Sequence, residues 1–175
     1  MRETNQNSQR DNVKIGKYPG TVQCFSTSAI MFLSFYEPSK FKADDDNAVA
    51  RYLLSLGNHA FEWDAHAKAI QHQTDKKIVC AVNLDTGAGL LSLDDLREKL
   101  KSGPVIIGTN KMGGLPGGHI ILAVDNTPDG KFYCNDPYGD ANTGYKDPNG
   151  ASVIYHAALF DAKHPSGPFR AIYAE

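Results

Sequence analysis

The sequence predicts an α+β fold in which an N-terminal helical half packs against a small antiparallel sheet formed by the second half. Helix-like segments with periodic apolar residues occupy most of the chain before Gly103-Pro104, and β-rich runs follow. Pro128-Asp129-Gly130 is a turn signal between two of these runs, so we expect them to pair as a hairpin. At 175 residues the chain fits a single domain over 1–175, with an extended N-terminal arm at 1–20.

The helical half is expected to centre on a buried helix over 23–36. This stretch contains no glycine or proline and has apolar residues almost all round, and Pro38 closes it. Acidic residues mark the start of a second helix, and Ser92 with Asp95 resembles a capping box at the start of a fourth. Further helices are predicted over 48–56, 60–72 and 92–101.

The β-rich half begins after Gly103-Pro104, although one short strand is also predicted earlier, at 77–82. A loop rich in Gly, Asn and Asp covers 136–150, and a short helix is predicted over 152–161. The other predicted strands are 105–108, 119–125, 131–135 and 168–173.

Composition excludes several classes of partner. Hydrophobic residues make up 41% and charged residues 22%, with a formal net charge of -2, which gives no reason to expect a nucleic acid or an anionic membrane surface. The longest apolar run, around Ile120–Val124, is far shorter than the roughly 20 residues needed to cross a bilayer, so we expect no membrane insertion. The first twenty residues are polar, so we expect synthesis in the cytoplasm without a signal peptide.

The three cysteines, Cys24, Cys80 and Cys134, are irregularly spaced and include no C-x-x-C pair, so neither a disulfide framework nor a structural zinc site is predicted. Segment 136–144 is rich in oxygen ligands but lacks the closing glutamate of a calcium loop. We therefore expect no cofactor and no metal.

Histidines also fail to form a metal-binding pattern. His59, His66 and His72 do not have the His-x-x-x-His spacing of metal ligands, and we expect them to be solvated or partly packed. The single tryptophan, Trp63, is expected in the core rather than in contact with a substrate.

Cys24 is the first candidate for chemistry because it lies at the start of the buried helix. A thiol there feels the positive end of the helix dipole and the unpaired backbone N–H groups, which favour the thiolate. The alternative is an inert, buried small residue, which most free cysteines are. Cys80 and Cys134 fall in predicted strands and are expected to be inert.

His119 and Asp136 are expected to meet across the predicted hairpin. His119 follows Gly117-Gly118 at the start of one strand, and Asp136 ends the partner strand. A hairpin centred on the turn puts the partner of residue 119 near 140, so Asp136 can lie beside the imidazole and hold its tautomer and charge. Asn135 and Asp140 remain alternatives, and Asp136 could also be an ordinary turn residue before proline.

The order of a thiol on an early helix, then a histidine, then a carboxylate on later strands is typical of nucleophilic acyl transfer. The segment Cys24–Tyr36, with Gly103-Pro104-Val105-Ile106, Gly118–Asp125 and Asn135-Asp136-Pro137-Tyr138-Gly139, resembles the motifs of the bacteriocin-leader peptidases of the papain-like clan. The resemblance covers about 8–140. It implies a papain-like fold, a Cys24, His119 and Asp136 triad, and cleavage of peptide or amide bonds.

The resemblance also implies a glutamine that donates to the oxyanion. Its usual place is six residues before the cysteine, where this sequence has Tyr18. Gln9 resembles the variant of the motif with a longer loop before the cysteine and is the first choice. Gln23 and Gln6 remain open, and the Cys24 N–H would be the second donor.

The substrate is an expectation that rests on the resemblance. A monomeric chain with no transmembrane or transporter segment looks like an endolysin that a holin releases to the cell wall, which implies peptidoglycan peptide or amide bonds. An intracellular processing protease or deamidase is the alternative enzyme. A catalytically inactive, papain-like binding module is the alternative without chemistry.

Overall fold

The computed structural model describes residues 6–42, 44–82, 90–110, 112–161 and 164–175, and it confirms the predicted α+β class. The helices are α1 (Cys24–Tyr36), α2 (Asp46–Leu56), α3 (Trp63–Gln73), α4 (Leu93–Ser102) and α5 (Ala157–Phe160). The strands are β1 (Ile78–Ala81), β2 (Val105–Asn110), β3 (Gly118–Asn126), β4 (Phe132–Asn135), β5 (Val153–Tyr155) and β6 (Ala171–Ala174).

All six strands form one antiparallel sheet in the order β1-β6-β2-β3-β4-β5. The predicted hairpin is the β3–β4 pair, in which Leu122 lies opposite Asn135. A bulge between Ala123 and Asp125 shifts the register of this pair. Strand β6 lies between β1 and β2, second from one edge of the sheet.

Helices cover both faces of the sheet. On one face α1, α2 and α3 pack on side chains that include Ile106, Leu122 and Ile172. On the other face α4, α5 and the loop after β4 pack on side chains that include Ile107 and Ile121. The first core is the predicted helical subdomain on a sheet. The placement of α4 on the opposite face goes beyond the sequence prediction.

Helix α1 is the central helix that the sequence predicts. Every residue from Phe25 to Ser34 is buried, because the helix is apolar all round and touches α2 and α3 as well as the sheet. Its central position fixes Cys24, the first residue of α1, against the end of the sheet. The capping box at the start of α4 is also as predicted: Ser92 accepts from the Asp95 N–H, and the Asp95 side chain accepts from the Ser92 N–H.

Two predictions about local structure were wrong. The segment predicted as one helix over 152–161 is strand β5 followed by the four-residue α5, because Val153, Ile154 and Tyr155 pair with β4. The N-terminal arm is not extended over 6–20. It reverses at Ile15–Tyr18, where the two residues exchange backbone hydrogen bonds, and it buries Asn7 and Gln9 against the rest of the fold.

Candidate active site

Cys24 lies at an uncapped helix start. A short 3-10 turn, Gly20–Val22, leads into α1, and the N-cap residue Gln23 makes no side-chain capping bond. The first backbone N–H groups of α1, beginning with that of the half-buried Cys24, therefore lack a partner within the helix. Such a helix end attracts negative charge.

The N-terminal arm packs tightly against the turn before Cys24. A Cβ atom added at Gly20 would lie 2.5 Å from the carbonyl oxygen of Asn12 and 2.6 Å from that of Gln9. Only glycine lets the two backbones approach so closely, so Gly20 joins the arm to the cysteine-bearing turn.

His119 and Asp136 form a buried pair at the end of the β3–β4 hairpin. His119 is 2% exposed and Asp136 is 0% exposed, and His119 Nε2 lies 2.7 Å from Asp136 Oδ1. A carboxylate can only accept, so Nε2 carries a hydrogen, and Nδ1 is the ring nitrogen left for the Cys24 side chain. The β3–β4 register, extended past Leu122–Asn135, puts residue 136 opposite 121 rather than 119. The side chains of His119 and Asp136 span this two-residue offset and still meet.

Asp136 is held by four hydrogen bonds. Its Oδ1 accepts from His119 Nε2 and from the Tyr138 N–H at 2.8 Å, while its Oδ2 accepts from the hydroxyls of Tyr145 and Tyr155, each at 3.1 Å. Tyr145 has left-handed backbone (φ 63°), which is uncommon for an aromatic residue and directs its ring at the site. A carboxylate with this many donors is stable as a buried anion.

The side chain of Cys24 lines the same cleft as His119 and interacts with its imidazole. Burial alone would lower the pKa of His119, but the Asp136 carboxylate and the contact with Cys24 outweigh it and raise that pKa well above its usual range. The rings of Tyr138 and Tyr145 stand edge-on to the imidazole, with centroids 6.2 Å and 6.0 Å from it. The imidazole therefore lies between the Cys24 side chain and a carboxylate, in a position where a proton taken up by the ring is stabilised.

The three candidate glutamines lie in different places. Gln9 is buried and lines the same cleft as Cys24; its Nε2 donates to the Gly20 carbonyl at 3.2 Å, which leaves the second hydrogen of that amide available. Gln23 instead donates to the carbonyls of Val13 and Tyr18, and Gln6 donates to the backbone oxygen of Asp136. Tyr18, at the position where the family has its glutamine, donates its hydroxyl to the Gly57 carbonyl.

The cleft beside Cys24 is largely apolar and has a volume of about 540 Å³. Its lining residues include Val22, Phe25, Phe61, Trp63 and Leu115. Trp63 was predicted to lie in the core, and this was only half right. Its ring packs against Phe25, with centroids 4.6 Å apart, but it also forms part of the cleft wall.

His66 was predicted to be solvated or partly packed, and this was wrong. It is fully buried, its ring stacks on Phe25 at 3.5 Å between centroids, and its two nitrogens contact the Tyr52 hydroxyl and the Ala60 carbonyl. Burial lowers the pKa of His66 to about 4. The imidazole of His66 can be buried in the core because both of its ring nitrogens have hydrogen-bond partners.

The alternative acidic and amide residues have other roles. Asn135 accepts from the Ser152 N–H, and Asp140 accepts from the Asn142 N–H at a 3-10 turn. The tyrosines around Asp136 were not singled out from the sequence. Tyr145 and Tyr155 lie 9 and 19 residues beyond Asp136, in a loop and a short strand, and no spacing rule marks them.

Among the residues described, no group of three or more His, Cys, Asp or Glu side chains is arranged to hold a metal ion. Cys80 and Cys134 lie in β1 and β4, and burial raises the pKa of Cys80 to about 12 and that of Cys134 well above its usual range. Neither thiol is poised to react. Within the described ranges, no helix is long and apolar enough to cross a membrane.

The α+β fold, with a cysteine at the start of its central helix and a His–Asp pair on the adjoining hairpin, is that of a papain-like cysteine peptidase. A sequence profile of the Peptidase_C39 like family matches residues 3–158, most of the chain. The chain belongs to this family. A comparison with curated proteins found no significant match.

Proposed function

We propose that this protein is a cysteine hydrolase that cleaves peptide or amide bonds, with Cys24 as nucleophile, His119 as general base and Asp136 as the group that orients the imidazole. The observation that carries the proposal is the continuous chain of contacts from the Cys24 side chain through His119 to Asp136, buried at its inner end. Membership of a C39-like peptidase family supports it.

In the first half of the reaction His119 Nδ1 takes the proton of the Cys24 thiol, and the thiolate attacks the carbonyl carbon of the substrate. Asp136 stabilises the imidazolium that forms and fixes Nε2 as a donor. The carbonyl oxygen, now negative, accepts from the Cys24 N–H and from Gln9 Nε2. One such donor contributes about 3 kcal/mol to the transition state.

In the second half the imidazolium returns its proton to the leaving amine as the carbon–nitrogen bond breaks, which leaves a thioester on Cys24. His119 then takes a proton from a water molecule, whose oxygen attacks the thioester carbon. Breaking the carbon–sulfur bond releases the carboxylic acid and regenerates the thiol.

The identity of the substrate is a second, more specific proposal. The open, apolar cleft of about 540 Å³ can take a few residues of an extended chain, which both cell-wall cross-links and flexible protein segments supply. We propose bacterial peptidoglycan peptides as the substrate, as the resemblance implies. A flexible segment of another protein is the competing substrate.

Purified peptidoglycan and a denatured protein are the two substrates that test this proposal. We expect loss of wall turbidity with the wild-type protein and none with Cys24→Ala, and mass spectrometry of the released fragments identifies the bond. Cleavage of the denatured protein alone would reject peptidoglycan and keep the hydrolase. If neither substrate is cleaved and Cys24 is no more reactive than an ordinary thiol, the hydrolase proposal itself is wrong and a binding module remains.

A further inference from the structure

A second cavity adjoins the cleft beside Cys24. It has a volume of about 320 Å³ and shares Trp63, Gly118, His119 and Ile120 with that cleft. The residues that line only this cavity include the polar side chains of Asn110, Asp161 and Arg170 beside apolar ones such as Phe160 and Phe169. A substrate chain that passes the cysteine can therefore continue into a chamber of different chemical character.

Arg170 lies two strands away from the catalytic strand on the face that carries Trp63. Ile120 on β3 is opposite Gly108 on β2, and the Gly108 N–H donates to the Arg170 carbonyl. With strands about 4.8 Å apart, the backbone of Arg170 is about 10 Å from Ile120, the length of about three extended residues.

Gly108 lets the Trp63 ring pack directly on the sheet beside the stem of Arg170. A Cβ atom at Gly108 would lie 2.9 Å from the Trp63 ring and 3.5 Å from the Cβ of Arg170. These two side chains thus project on the same side of the sheet as the missing Cβ, with only a glycine below them. The indole and the stem of the arginine are therefore neighbours on this face of the sheet.

Asp161 and Arg170, the charged residues that line only this chamber, differ in their partners. Asp161 Oδ2 accepts from Asn110 Nδ2 at 2.7 Å and Asp161 Oδ1 accepts from the His164 N–H at 3.2 Å. In the part of the chain that the structure describes, the guanidinium of Arg170 makes no hydrogen bond and no ion pair. Arg170 is therefore the group of this chamber with unused hydrogen-bonding capacity, and its planar fork suits a carboxylate.

We propose that the chamber is a specificity subsite in which Arg170 binds a carboxylate on the substrate, an acidic side chain within about three residues of the bond that is cleaved. The inference rests on the proposed hydrolase function and deepens it, because it assigns a substrate class to one end of the same cleft. An acidic residue would lie with its stem on Trp63 and its carboxylate on the guanidinium.

Six pairs of fluorogenic hexapeptides test the proposal, each pair with glutamate or glutamine at one position. Arg170 is exposed, so for the wild-type protein we expect one position at which glutamate raises kcat/KM about threefold over glutamine, the range of a solvent-exposed charge pair. The preference should shrink as salt is added. In Arg170→Gln the ratio of kcat/KM for the glutamate peptide to that for the glutamine peptide should fall to about one at that position. In Arg170→Glu this ratio should fall below one, because the new carboxylate repels glutamate.

Arg51→Gln is the matched control, because Arg51 lies on α2, pairs with Asp45 at 3.3 Å and is outside both cavities. It removes the same charge and should leave the preference intact. A glutamate preference that survives in Arg170→Gln, or the lack of any preference in the wild-type protein, overturns the proposal.

Binding separates this inference from the hydrolase proposal. Fluorescence anisotropy with the Cys24→Ala variant compares the same glutamate and glutamine peptides without turnover. If the wild-type protein cleaves no peptide, the hydrolase proposal fails. Tighter binding of one glutamate peptide, lost in Cys24→Ala/Arg170→Gln, would still support the subsite, and equal binding of both peptides would reject it.

Discussion

Replacing Asp136 by asparagine should remove the charge beside His119 while keeping the geometry. Asparagine has nearly the same shape, and its oxygen can still accept from His119 Nε2 and the Tyr138 N–H. Its amide hydrogens would face the hydroxyls of Tyr145 and Tyr155. Tyr155 can turn its proton to the Gly139 carbonyl, which already lies 3.1 Å away, so this hydroxyl keeps an acceptor, whereas that of Tyr145 loses the one it has in Asp136 Oδ2.

The expected effect follows from the 2.7 Å contact between His119 Nε2 and Asp136 Oδ1. A buried opposite charge at this distance raises a histidine pKa by about 1–3 units, so its loss destabilises the imidazolium by about 1.4–4 kcal/mol. Because the active form carries the imidazolium, the alkaline limb of the kcat/KM profile should move to lower pH by about 1–3 units in Asp136→Asn.

The assay is the pH dependence of kcat/KM on a cleaved peptide for the wild-type protein and Asp136→Asn, with thermal unfolding to verify that both are folded. Asp136→Ala is a harsher comparison, because it leaves four donors without their acceptor and should also lower stability by about 3–5 kcal/mol. An alkaline limb that stays in place in folded Asp136→Asn would refute the assigned role of Asp136.

The remaining predictions concern the glutamines, His66 and the arm. Gln9→Ala should lower kcat about a hundredfold with little change in KM, as expected for a lost oxyanion donor, whereas Gln23→Ala should lower the melting temperature and leave kcat near the wild-type value; equal kcat losses would contradict this assignment. His66 has a pKa of about 4 when folded and about 6.5 when unfolded, so the unfolded chain binds the extra proton between these values and stability falls as the pH drops below about 6.5. Urea unfolding should show a loss of about 2 kcal/mol from pH 7 to pH 5 that is absent in His66→Leu, and an equal loss in both would exclude His66 as its source. Gly20→Ala should reduce both stability and activity, because its methyl group would collide with the carbonyls of Asn12 and Gln9; unchanged Tm and kcat/KM would show that the arm is not held there.

Much of the fold was predictable because the local signals agree with one another. Helix α1 can be recognised in the sequence by its length, its apolar residues and the lack of glycine and proline. The β3–β4 hairpin can be recognised by its turn. The segment 152–161 was misassigned because short runs such as Val153–Tyr155 take their conformation from a partner strand. That partner is not visible in local sequence.

Some residues of the candidate site can likewise be predicted from the sequence, and others cannot. Cys24 sits at a predicted helix start and His119 at a predicted strand start, so their placement follows from elements that the sequence specifies. Tyr145 and Tyr155 reach Asp136 only through tertiary structure, and the burial of His66 depends on Phe25 and Tyr52 packing on it from other helices. Contacts of this kind leave no periodic trace in the chain.

The most direct test of the central claim is the rate at which iodoacetamide alkylates Cys24 at pH 6, measured by peptide mass spectrometry in the wild-type protein and in His119→Gln. An ordinary thiol is less than about 1% ionised at this pH, so a thiolate paired with an imidazolium should react about tenfold faster or more. Cys134, which is buried, and Cys80, which is half-buried, are internal references: their raised pKa values should keep both thiols unmodified. We expect fast alkylation of wild-type Cys24 and slow alkylation in His119→Gln; equal rates in two folded proteins would contradict the account.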